Sequence, residues 1–110
     1  MPYFNELTGK DLAPGLTGRY IHGSKMTMGQ VTIKAGSRLE EHQHPHEQIT
    51  VILEGTLEMM IGGKSMQLQP GMVYVIPPDT LHSANAITDC IVLDAFYPCL
   101  LYTSPSPRDV

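Results

Sequence analysis

What this chain lacks narrows it before anything else does. Only two of its 110 residues are cysteine, too few for a disulfide framework, and Cys90 within Asp89-Cys-Ile-Val-Leu-Asp94 reads as a small buried hydrophobe. Seven basic residues stand against eleven acidic ones, a formal charge of −4, and the seven are scattered rather than gathered on one face. Nucleic acid and anionic membranes are therefore not expected partners. No run approaches the roughly eighteen uninterrupted apolar residues that cross a bilayer. Residues 1–6 offer neither a basic nor an apolar segment, so the expected location is cytoplasmic. No apolar stripe persists at helical spacing over ten residues, and there is no internal repeat, linker or second domain.

What is present is a series of short, strand-like stretches. Forty-two per cent hydrophobic and sixteen per cent charged residues suit one ordinary globular domain. Turn signals recur every eight to twelve residues, and the stretches between them read as strands over 20–22, 26–34, 49–53, 56–61, 64–69, 72–76, 81–86 and 90–97. Gly62-Gly63 is a two-residue hairpin signal. The pattern predicts an all-β fold, a sandwich or barrel with the jelly roll as its common closed form.

Four side chains carry chemistry. His42, His44 and Gln48 share parity, so one strand and its continuation would aim two imidazoles and an amide oxygen the same way. His82 follows the turn Pro77-Pro78-Asp79 and would arrive from another strand. Three neutral imidazoles and an amide oxygen suit one divalent transition metal (Zn, Ni, Fe, Mn or Co) better than Ca or Mg. Glu47 would replace Gln48 only if Pro45 shifted the strand register. His46 reads either as a group at the mouth of the site or as an exposed loop histidine.

These segments resemble the paired motifs of the cupin superfamily. The first is carried by Gly36, His42, His44, Gln48 and Gly55, the second by Gly71, Pro77, Asp79 in place of a glycine, and His82; Ala86 stands where asparagine is usual. The resemblance implies a cupin β-barrel (double-stranded β-helix, or jelly roll) over residues 1–98, metal bound by those ligands, and a homodimer. Most cupins have a carboxylate at the position of Gln48. A neutral amide leaves the ion its full charge, which favours polarising oxygens over oxygenation.

A narrower likeness rests on His44-Pro-His46-Glu47-Gln48, Val75-Ile-Pro77-Pro78 and Leu93-Asp94-Ala95-Phe96-Tyr97-Pro98. These resemble the small KdgF-type cupins of pectin and alginate breakdown, which convert 4,5-unsaturated monouronates, small anionic substrates, into linear ketonic acids. The likeness implies His42, His44, Gln48 and His82 as metal ligands and Asp94 and Phe96 as catalytic residues. From the residues alone, Asp94 reads also as a strand-end cap, and Phe96 reads better as core. The family's arginine, due near position 100, is replaced by Leu100. Residues 99–110 look like a translated sequencing adapter and are expected to be a non-native, disordered tail that impairs activity. A metal-dependent lyase, a small dioxygenase and a non-catalytic sugar-binding barrel remain the alternatives.

Overall fold

Turn chemistry sets the element boundaries. The computed structural model describes residues 2–103, and positions 104–110 of the expected tail lie outside the described residues. After a 3-10 turn at Phe4–Glu6, the described residues form ten strands: β1 (Lys10–Ala13), β2 (Leu16–His22), β3 (Thr27–Ile33), β4 (Arg38–His42), β5 (Glu47–Glu54), β6 (Leu57–Ile61), β7 (Lys64–Leu68), β8 (Val73–Ile76), β9 (His82–Ala86) and β10 (Cys90–Tyr97). A short helix, Leu100–Thr103, comes last. Gly62 and Gly63 take φ of 56° and 83° between β6 and β7, the left-handed pair that a tight hairpin requires. No helix among the described residues is long and apolar enough to cross a membrane.

The strands form two sheets, one of six strands ordered β1-β2-β3-β10-β5-β8 and one of four ordered β4-β9-β6-β7. All pairings are antiparallel. Burial alternates strictly along β3, β9 and β10, as a jelly roll with one face inward demands. Leu16, Ile52, Leu57 and Ile76 are among the most buried side chains between the sheets, each contributing about 2 kcal/mol through lost water contact.

β1 and β4 were not anticipated. Their sequences, Lys-Asp-Leu-Ala and Arg-Leu-Glu-Glu-His, lack the β-branched alternation of a strand, and each exists because a neighbour pairs with it. β1 lies against β2 and β4 against β9.

The outer faces of the two sheets differ. On the six-stranded sheet Ile49 pairs with Val75 and Val51 with Val73, and Ile49, Leu53, Val73 and Val75 are 43–64% exposed. The four-stranded sheet instead presents a polar groove that includes Arg38, Glu58, Ser65, Ser83 and Asn85.

Register across the six-stranded sheet decides what faces the interior near one end. One cross-strand row runs His22, Thr27, Phe96, Gln48, Ile76. The next runs Tyr20, Gly29, Asp94, Thr50, Tyr74. Facing them on the four-stranded sheet, His42 pairs with His82 and His82 with Ile61.

Candidate metal centre

The chain reaches this end of the barrel by leaving one sheet for the other. His42 is the last residue of β4, and residues 43–46 cross to β5, where Gln48 is the second residue. The expected ligands therefore do not lie on one strand and its continuation, where parity alone put them. His42 belongs to the four-stranded sheet, Gln48 to the six-stranded sheet, and His44 to the crossing between them. The backbone N–H of Asp79 donates to the carbonyl of His44 at 2.8 Å, tying the Pro77-Pro78 turn to that crossing. Asp79 has φ of 58°, the left-handed conformation that explains why a glycine is common there; Asp is among the few other residues that adopt it.

The three imidazoles converge. The rings of His42 and His82 are 4.2 Å apart, those of His44 and His82 5.0 Å, and those of His42 and His44 5.9 Å. One nitrogen from each lies within 4.8 Å of the others. Nδ1 of His42 donates to the carbonyl of Glu40 at 2.9 Å and Nδ1 of His82 to that of Thr80 at 2.8 Å, while Nδ1 of His44 faces the carbonyl of His46 at 3.2 Å. A ring that donates through Nδ1 presents a bare lone pair at Nε2, the orientation that backbone acceptors give metal-bound histidines. Nε2 of His42 and of His82 are both buried without a hydrogen-bond partner among the described residues.

Gln48 brings an amide oxygen to the edge of this cluster. Its Nε2 donates to Thr50 Oγ1 at 3.0 Å and to Asp94 Oδ1 at 3.2 Å, while the Thr50 hydroxyl donates to Asp94 Oδ1 at 2.7 Å. With its N–H₂ held on that side, the amide turns Oε1 towards Nε2 of His44 at 3.0 Å. Burial, the largest influence, holds His44 below the usual imidazole range. A neutral ring has one N–H for two acceptors, this oxygen and the carbonyl of His46; with the N–H on the carbonyl side, Nε2 and Oε1 are two lone pairs that an ion would share. Unpartnered nitrogens on His42 and His82 and this oxygen-nitrogen pair make a three-nitrogen, one-oxygen donor set, which fits a divalent transition metal.

Burial also lowers His82 to about 4, with its hydrogen bond to Thr80 opposing the shift and the neighbouring His42 and His44 adding to it. Asp94 moves the other way. Burial pushes its carboxyl up to about 6, against the hydrogen bonds from Thr50 and Gln48 that favour the charged form. Asp94 sits within β10, buried and opposite Thr50, so it is not a strand-end cap. Phe96 is buried with its ring edge-on to His44 at 5.9 Å. His46 is fully buried at 5.4 Å from His44, not an exposed loop residue, and Glu47 is exposed.

Thr50 was missed from the sequence, since only the β5–β10 register places its hydroxyl on Asp94. Among the basic side chains, Lys25 lies in the β2–β3 turn at this end of the barrel, whereas Arg38 stands on the outer face beside Glu40. Leu100 is buried, and its N–H donates to Thr27 Oγ1 at 3.0 Å. Cys99 is buried beside the same threonine.

Two antiparallel sheets closing over a histidine cluster at one mouth define a jelly-roll barrel with a candidate metal centre. The chain belongs to the cupin family, whose Cupin domain model matches residues 29–96. It is similar in structure to KdgF from Halomonas sp., with a TM-score of 0.80 and 30% identity over 89% of this chain and 94% of that one. It is also similar to the polyketide synthase protein CurC of Streptomyces cyaneus, 29% identical over 103 residues, covering 93% of this chain and 67% of that protein. Quercetin 2,3-dioxygenase of Bacillus subtilis (strain 168) is 33% identical over 78 residues, covering 62% of this chain and 23% of the enzyme.

Proposed function

We propose that the chain is a metal-dependent sugar-acid enzyme that linearises 4,5-unsaturated monouronates. The observation that carries this reading is the link between the donor cluster and a buried acid: the Gln48 amide faces His44 with its oxygen and holds Asp94 with its nitrogen. The likeness to KdgF supports it. A divalent ion held by His42, His44, Gln48 and His82 would polarise the carboxylate and hydroxyl oxygens of a bound uronate.

Asp94, pushed up to about 6, is populated in both protonation states near neutrality and can take a proton from the sugar and return it as the ring opens. Phe96 walls the site beside His44 and keeps water from that side. Lys25 on the β2–β3 turn and Lys64 next to the β6–β7 hairpin put positive charge at this end for an anionic substrate. With leucine at position 100, turnover is expected to be slow.

The test is proton NMR of unsaturated galacturonate with metal-loaded protein. Linear product should accumulate, and Asp94→Asn should slow it at least roughly a hundredfold, the usual scale for losing a general acid-base. No conversion by fully loaded wild type would sink the reading. The likeness to quercetin 2,3-dioxygenase favours oxygenation as the second reading, and oxygen uptake at an electrode with ferrous protein would replace the first. A homodimer through the apolar outer face of the six-stranded sheet belongs to the same proposal; a single-chain mass by light scattering would remove it.

A further inference from the structure

We infer that Tyr20 is a platform for the ring of the substrate, selecting a ligand with an apolar ring face, a pyranose, and laying it beside Asp94. This deepens the sugar-acid reading and rests on it for the identity of the ligand. Tyr20 lies on β2 in the same inward row as Asp94, with only Gly29 between them.

Its ring does not stand upright. A Cβ built on Gly29 would fall 2.5 Å from Tyr20 Cε1, and one on Gly18 would fall 2.5 Å from the hydroxyl and 2.6 Å from Cε2. The ring therefore lies flat along the sheet over both glycines. Neither glycine has a left-handed φ, so the backbone does not call for glycine at 18 or 29. What those positions omit is a side chain, and Tyr20 fills the space. Neighbouring strands are about 4.8 Å apart, so a ring over Gly29 has moved one strand closer to the carboxyl. The two groups sense each other: after burial, the charge of Asp94 is what raises the Tyr20 hydroxyl above the usual phenol range.

The hydroxyl is buried and has no partner among the described residues, yet Tyr20 as a whole is only half-buried. What remains accessible is therefore not its polar tip. An aromatic carbon surface beside an acid suits the C–H face of a sugar, because those hydrogens are weakly positive and the ring face is weakly negative. The hydroxyls and carboxylate of such a sugar then remain free to reach the histidine cluster. A flexible aliphatic acid has no such face to offer.

Three substitutions separate this role from simple packing. Tyr20→Phe keeps the ring, Tyr20→Leu removes it, and Gly29→Ala lifts it, the three atoms nearest the new Cβ all belonging to Tyr20. The probes are saturated galacturonate, which cannot react, and unsaturated galacturonate, both with the zinc-loaded full chain. Wild type and Tyr20→Phe should show proton NOEs between the residue 20 ring and the sugar C–H face. Tyr20→Leu and Gly29→Ala should weaken galacturonate binding and raise KM about tenfold, the loss of one stacked ring, with kcat changing much less.

Equal binding or equal KM in Tyr20→Leu and wild type would overturn the platform. Galacturonate seated on Tyr20 without conversion of the unsaturated sugar would uphold the platform and remove the ring-opening reaction. Neither binding nor conversion by wild type would remove both.

Discussion

Replacing His42 by alanine is expected to empty the metal centre. The ring of His42 lies 4.2 Å from that of His82, and its Nε2 is buried without a partner among the described residues, which leaves that lone pair available to an ion. Outer-shell changes around a metal already cost about 10–100-fold in affinity, and loss of a direct donor should exceed that range. Wild type should gain about 4 kcal/mol of stability from metal at a thousandfold excess over its Kd, whereas His42→Ala, binding more than about a hundredfold more weakly, should gain less than about 1.4 kcal/mol. Elemental analysis and melting curves with and without metal check this, and equimolar metal retained by the variant would refute the assignment. Uptake should also persist into mild acid, because burial keeps His44 below the usual imidazole range and His82 at about 4, leaving both rings unprotonated where a free histidine would gain a proton.

Gln48→Glu should have the second large effect, and Asp94→Asn should reverse it. In the native site the Gln48 N–H₂ donates to Asp94 and Thr50. A carboxylate in its place donates to neither and brings two acids together in a buried position. Without metal, the variant should lose roughly 3–5 kcal/mol near neutrality, the scale of an uncompensated buried charge.

The loss has a defined pH dependence. The folded carboxyl of Asp94 already stands at about 6, above its ordinary value, and a second acid raises it further. A group whose folded pKa is raised stabilises the fold at low pH and withdraws that support as pH rises through the folded value. The variant should therefore be nearest to wild type below about pH 4 and weakest above pH 6. In the double variant the asparagine amide donates back across the pair, so a double-mutant cycle should show coupling of about 2 kcal/mol or more. Purely additive losses would mean that the Gln48–Asp94 contact does not organise the site. With metal bound, Gln48→Glu should keep the ion and lessen its pull on substrate oxygens.

The fold was largely readable because its signals are local. Gly62-Gly63 marked a hairpin, and turn signals bounded the stretches that became β3, β9 and β10. β1 and β4 were invisible for the opposite reason, since Lys10–Ala13 and Arg38–His42 become strands only by pairing. The meeting of His42, His44 and His82 was legible from spacing, although its geometry was not. Parity placed His42 and Gln48 on one extended run, and the chain instead changes sheets between them. His46 looked like an equal candidate for solvent, but a crossing segment folded across the barrel mouth buries it completely. Thr50 and Tyr20 carried no signal, because their roles come from neighbours on β10 and β3 that only the register identifies.

That change of sheets has a mechanical consequence. An ion taken up by His42 and His82 on one side and Gln48 on the other would act as a stitch across the seam of the barrel, through side chains rather than backbone hydrogen bonds. Release of the ion would then require the two layers to part at that end, and its exchange rate would gauge how often the mouth breathes.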